Sequence, residues 1–95
     1  VGQIQAIVGE RIYTRVLVRD GREFLHNRPL REWREILPEK TFKSLDRSTI
    51  VNVAEIQTVR DGGECPGKEV AFRGSPHKLC LGEVAVKSLR ELMQG

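Results

Sequence analysis

The chain has 95 residues, 39% of them hydrophobic and 31% charged, with a formal net charge of +3. That length holds one hydrophobic core, and the composition belongs to folded domains, which excludes a disordered chain and a multidomain one. No apolar run approaches the roughly 18–20 residues of a membrane span, so no spanning or targeting segment is expected.

Residues Ile4, Ala6 and Val8 recur at every second position, and Ile12, Thr14, Val16 and Val18 repeat the pattern after Gly9-Glu10-Arg11. Period-two patterning of this kind predicts two strands joined by a short loop. Asp20-Gly21 suits the positive φ of a tight hairpin, and Arg22 to His26 returns to extended character;. The period then changes. Leu30, Trp33, Ile36 and Leu37 predict a helix of about two turns, with Asn27 as its cap and Pro38 as its stop;. Trp33, Leu30 and Leu37 are read as core.

Extended character resumes from Thr41 through Leu45; Ser48 to Asn52 reads as a turn or short helix, and Ala54, Ile56, Thr58 and Val59 as a further strand. The turn-rich stretch Asp61 to Gly67 separates that strand from another at Glu69 to Arg73, and Gly74-Ser75-Pro76 turns the chain into His77 to Leu81;. After Gly82 a second helix is expected from Glu83 to Met93, with Ala85, Val86, Leu89, Leu92 and Met93 facing inward. Six or seven short strands with two short helices make a mainly β domain. Because Val1 opens directly into strand character without Met, the single domain spanning 1–95 is expected to be excised from a longer protein.

Catalytic chemistry is not expected. The two histidines, His26 and His77, fall in different predicted hairpins, and Ser48 has no glycine-rich elbow around it;. His77-x-x-Cys80 has ligand spacing, but a zinc site wants four ligands in tight pairs, so Cys80 is read as buried between Leu79 and Leu81 and Cys65 as an exposed loop residue;. Two cysteines are too few for a disulfide scaffold and are compatible with a reducing cytosol. No metal and no cofactor is expected. The sixteen basic residues divide into eleven Arg and five Lys. The planar Arg fork suits phosphate and guanine edges, so this bias leans toward an anionic partner such as nucleic acid, with a solvated, salt-bridged surface as the bland alternative.

The segment Thr41 to Ile56, TFKSLDRSTIVNVAEI, resembles the central signature of the LytTR family of bacterial DNA-binding domains: a Phe, a polar pair ending in Arg-Ser, Val-Asn, an apolar residue, and an Ile three further on. Asp20-Gly21, Pro29-Leu30, Leu37-Pro38 and the closing helix fall where that family places such features, so the resemblance covers nearly the whole chain.

The resemblance implies an elongated antiparallel β domain with two short helices. Its loops, instead of a recognition helix, reach successive major grooves of duplex DNA. It implies a cytoplasmic transcription regulator, often of a two-component system, with a receiver or other regulatory domain N-terminal to this one. It further implies repeated half-sites, with the isolated domain monomeric, two copies side by side on DNA, and no membrane contact by this domain. Three segments correspond to the family's DNA-facing positions: Arg11, Tyr13 and Arg15; then Lys43, Asp46 and Arg47; then Gly82, Glu83 and Lys87.

Gly82-Glu83 stands where many relatives carry Ser-Arg. Glu83 either accepts from a cytosine amino group or points away and favours its helix N-terminus. Arg47 either faces DNA or is a buried strut paired with Glu55 or a backbone carbonyl. Asn52 is read as structural, bonding its own backbone. The competing functional class is a protein-interaction module using the same basic surface against an acidic partner.

Overall fold

The structure, a computed structural model, describes residues 3–10, 12–61 and 67–94. Its elements in chain order are β1 (Ile4–Glu10), β2 (Tyr13–Val18), β3 (Glu23–His26), α1 (Leu30–Ile36), β4 (Phe42–Asp46), β5 (Thr49–Asn52), a 3-10 turn (Val53–Glu55), β6 (Ile56–Asp61), β7 (Lys68–Phe72), β8 (Lys78–Leu81) and α2 (Glu83–Gln94). Two antiparallel sheets result, one of five strands ordered β3-β2-β1-β5-β4 and one of three ordered β6-β7-β8. The mainly β, antiparallel class with two helices is as expected, and the molecule measures 31 × 25 × 24 Å.

The five-stranded sheet is covered on both faces, which explains its sequence. One face contributes Ala6, Leu17, Leu45 and Val51 to a core completed by Val70, Phe72, Leu79 and Leu81 of the second sheet and by Ala85 and Leu89 of α2. The opposite face contributes Ile7, Val16, Val18, Phe42 and Ile50 to a second cluster, closed by Leu30 and Leu37 of the α1 segment. Successive side chains of a strand point to opposite faces, so a strand buried on both sides reads as a near-continuous apolar run. Thr49–Asn52 is the extreme case, buried at all four residues. That is why, within the stretch Ser48 to Asn52 expected as a turn or short helix, only Ser48 lies in a turn and Thr49–Asn52 is a strand followed by a 3-10 turn; the following strand accordingly starts at Ile56, not Ala54.

Local chemistry accounts for the connections. Gly21 has φ of 93°, and the Asp20 carboxylate accepts from the Arg22 amide. That backbone hydrogen bond leads the causes that hold the Asp20 carboxyl below its ordinary range. Helix α1 starts at Pro29, which has no side-chain cap bond, so Asn27 is not its cap. The helix is held laterally instead: buried Thr14 donates to the Arg28 carbonyl at 3.0 Å and accepts from the Trp33 indole at 2.8 Å. Trp33 is therefore half-buried against the α1 cluster and not at its centre. Asn52 behaves as expected, accepting from the Ala54 amide at 3.1 Å and donating to the Ile4 carbonyl at 3.1 Å.

Two further expectations are corrected. On α2, Ala85 and Leu89 are buried and Val86 is half-buried, but Leu92 and Met93 are exposed because the helix runs past the edge of the core. Cys80 is exposed, since β8 alternates and turns Leu79 and Leu81 inward. It takes part in a disulfide, so the low cysteine count does not mean free thiols.

Candidate nucleic-acid interface

Strand β1 pairs antiparallel with β2 on one side and β5 on the other, with Glu10 opposite Tyr13 and Val8 opposite Thr49. This topology puts the β1–β2 turn and the β4–β5 turn at the same end of the sheet. The Gly9 amide joins them directly, donating to the Ser48 carbonyl at 2.7 Å. Arg47 and Ser48 form the turn between β4 and β5, and the Asp46 carboxylate accepts from the Ser48 amide at 2.8 Å, closing a local ring;. Arg47 is exposed, and its side chain has no hydrogen bond or ion pair among the described residues. The strut alternative for Arg47 is thereby removed, because Glu55 instead takes Arg19 at 3.2 Å and Gln5 at 3.3 Å.

A shallow cleft of about 520 Å³ lies between this turn and the start of α2, lined by Asp46, Arg47, Ser48, Gly82, Glu83 and Val84. The second and third segments of the sequence reading thus face each other. Gly82 has open space where a Cβ would sit, and Glu83 occupies the first turn of α2, where a negative charge complements the helix dipole;. One turn on, exposed Lys87 lines a second cleft with Asp61, Lys68 and Arg90. Lys68 hydrogen-bonds Asp61 and holds its carboxyl below the ordinary range, so these two charges neutralise each other. Glu83 also lines this cleft, so Lys87 and Arg90 leave one net positive charge there.

A family model described as the LytTr DNA-binding domain matches residues 1–94. The chain belongs to the LytTR family of DNA-binding domains. Its fold is also similar to a solved structure described as the LytTr DNA-binding domain of a methyl-accepting/DNA response regulator from Bacillus cereus. That likeness has a TM-score of 0.76 at 18% identity, covering 99% of this chain and 84% of the other. No curated protein matches. LytTR is a family of DNA-binding domains and not of enzymes, and DNA binding is the activity that membership assigns.

In this LytTR domain the remaining candidate residues differ in how free they are. Tyr13 is 47% exposed at the first position of β2, beside Ile12 at 67%. Arg15, on the same face, is engaged: its Nε lies 2.9 Å from Glu10 without hydrogen-bond geometry, and Nη1 donates to Glu23 at 3.4 Å. Lys43 is half-buried and is not brought to the Arg47 cleft. It lines one groove with Arg34 and Phe42 and another with Ser88 and Glu91. Arg11 lies outside the described residues, as does Cys65. Among the described residues no group of three or more His, Cys, Asp or Glu is placed to hold a metal.

The sequence reading missed Arg90 and Arg34. Arg90 follows Lys87 by three residues on one helix face, so helical spacing alone would have found it. Arg34 had no such signal, because its partners, the Ser44 hydroxyl and two backbone carbonyls, lie outside its own helix.

Proposed function

We propose that this LytTR domain binds specific duplex DNA as part of a bacterial transcription regulator, presenting the β1–β2 turn, the Arg47 turn and the start of α2 together to one face of the duplex. The observation that carries this reading is the convergence of three separate segments at one end of the five-stranded sheet, with the unpaired Arg47 guanidinium between them. A planar fork with no partner among the described residues suits bidentate contact with a guanine edge or a phosphate, whereas Lys87 and Arg90 suit the phosphate backbone. Glu83 is assigned to its helix N-terminus and away from phosphate, and Asp46 to its turn.

The longest dimension, 31 Å, is shorter than the roughly 34–36 Å between half-sites one helical turn apart;. One copy therefore covers about one half-site. Two copies side by side on repeated half-sites, from a domain that is monomeric alone, fit that size. A receiver or other regulatory domain N-terminal to this one would supply the signal, in the cytoplasm. No helix among the described residues is long and apolar enough to cross a membrane.

Selection from a random duplex pool tests the reading. The domain is expected to enrich a defined sequence and to hold it against excess random duplex, because specific complexes are typically 10³–10⁷ tighter than non-specific ones. If no sequence is enriched, and an acidic protein competes as well as DNA, the interaction-module reading takes its place.

A further inference from the structure

Arg34 makes three hydrogen bonds away from its own helix. Its Nε donates to the Ser44 hydroxyl at 2.9 Å, and one terminal nitrogen donates to the carbonyls of Asp46 and Arg47, each at 3.1 Å. One guanidinium thus grips the strand end and both peptide units leading into the Arg47 turn. β4 pairs with β5 as far as Asp46 and Thr49, and the chain reverses there through Arg47 and Ser48. The grip comes from the α1 side of the sheet, where Leu30 and Leu37 pack with Phe42 and Ile50. The Arg47 side chain lines a cleft on the other side, shared with the start of α2.

We propose that Arg34 is a positioning residue for DNA recognition: it holds the Arg47 turn rigid from behind, without touching DNA itself. This rests on the reading that Arg47 faces DNA. Three of the five Arg34 N–H donors are committed to protein acceptors, and those on Nη1 are left over;. A lysine ammonium has three donors on a single atom, whereas the planar Arg fork spreads its donors over the Ser44 hydroxyl and the two carbonyls, so Arg is the side chain that fits the three-acceptor arrangement. The turn has two further ties, the Gly9 amide on the Ser48 carbonyl and the Asp46 carboxylate on the Ser48 amide, so removing Arg34 loosens a loop and leaves the core in place.

The test uses Arg34→Met, which keeps the apolar stem, with Arg34→Lys, Arg47→Ala and the double variant Arg34→Met/Arg47→Ala. The first readout needs no DNA. Amide exchange of Gly9 and Ser48 should speed up several-fold in Arg34→Met while core strand amides stay protected. Unchanged exchange at both amides would overturn the positioning role. The second readout is binding to the duplex recovered by selection.

Arg34→Met should weaken that complex about five- to tenfold, with random-duplex affinity and the salt slope unchanged. Arg34→Lys should recover part of the loss. In the Arg47→Ala background Arg34→Met should cost little more, because both act through one side chain. Full additivity, or a salt slope reduced by about one, would show that Arg34 acts on DNA directly and overturn the inference. Should Arg47→Ala bind like the parent, the Arg47 reading fails by itself, and the exchange data alone still report whether Arg34 holds the turn.

Discussion

The Gly9 amide donates to the Ser48 carbonyl at 2.7 Å, and this bond ties the β1–β2 turn to the Arg47 turn. The donor is backbone, so the residue at position 9 matters only through space and conformation. A Cβ there would meet Leu30 and the Ser48 carbonyl at 3.7 Å, which is ordinary contact, and Gly9 is not among the glycines with positive φ. Gly9→Ala should therefore melt within about 0.5 kcal/mol of the parent and keep its duplex affinity. A loss above about 2 kcal/mol in thermal unfolding would contradict this geometry.

On the proposed reading, Arg47 and Lys87 divide the work between them. Arg47→Ala removes an exposed, unpaired side chain, so its melting temperature should match the parent's while binding weakens by about 1–3 kcal/mol; if Arg47 reads a base, preference at one position of the site relaxes. Lys87→Ala should weaken all duplexes alike and reduce the salt slope by about one. Titrations over a salt series, run after thermal melts of both variants, check the pair.

Asp46 presents an acid close to the proposed DNA face. Its Oδ1 accepts from the Ser48 amide, a bond that an asparagine oxygen makes equally well;. Asp46→Asn should consequently bind duplex at least as tightly as the parent, having kept the turn and lost a charge that repels phosphate. Asp46→Ala should bind more weakly. If Asp46→Asn lost affinity as severely as Asp46→Ala, the carboxylate itself would be reading DNA, for instance a cytosine amino group.

Away from the interface, Gln5 links the two sheets. It is fully buried; its amide nitrogen donates to the Arg73 carbonyl at 2.7 Å and to Glu55, and its oxygen accepts from the Ser75 hydroxyl at 2.6 Å. Gln5→Leu would strand all three partners, at a cost of about 2–4 kcal/mol. For a domain of this size that lowers the melting temperature by roughly 10 °C or more, as calorimetry would record. A melt within about 2 °C of the parent would show that water replaces the side chain without loss.

Much of this was legible in the chain, for reasons that differ by residue. Gly21 announced its hairpin because Asp-Gly accepts a positive φ, and the signature from Phe42 to Ile56 marked both the family and Arg47. Strand β5 was hidden because a segment buried on both faces loses the alternation by which strands are recognised. Gln5 looked like an outward polar residue between Ile4 and Ala6, yet the second sheet covers it and supplies its partners. Leu92 and Met93 keep the helical period of α2 beyond the point where the core ends, so periodicity overstated burial. Arg34 answers to a hydroxyl and two carbonyls outside its own helix, which leave no trace in the spacing of that helix.

The central claim is that three turns at one end of the five-stranded sheet form the DNA face. Mapping amide chemical shifts during titration with the selected duplex tests it most directly. Perturbations should concentrate at Gly9 to Tyr13, Asp46 to Ser48 and Gly82 to Lys87, with the β3 edge at Glu23 to His26 unmoved. Shifts concentrated along β3 or the exposed side of α1, with the Arg47 turn silent, would contradict the account.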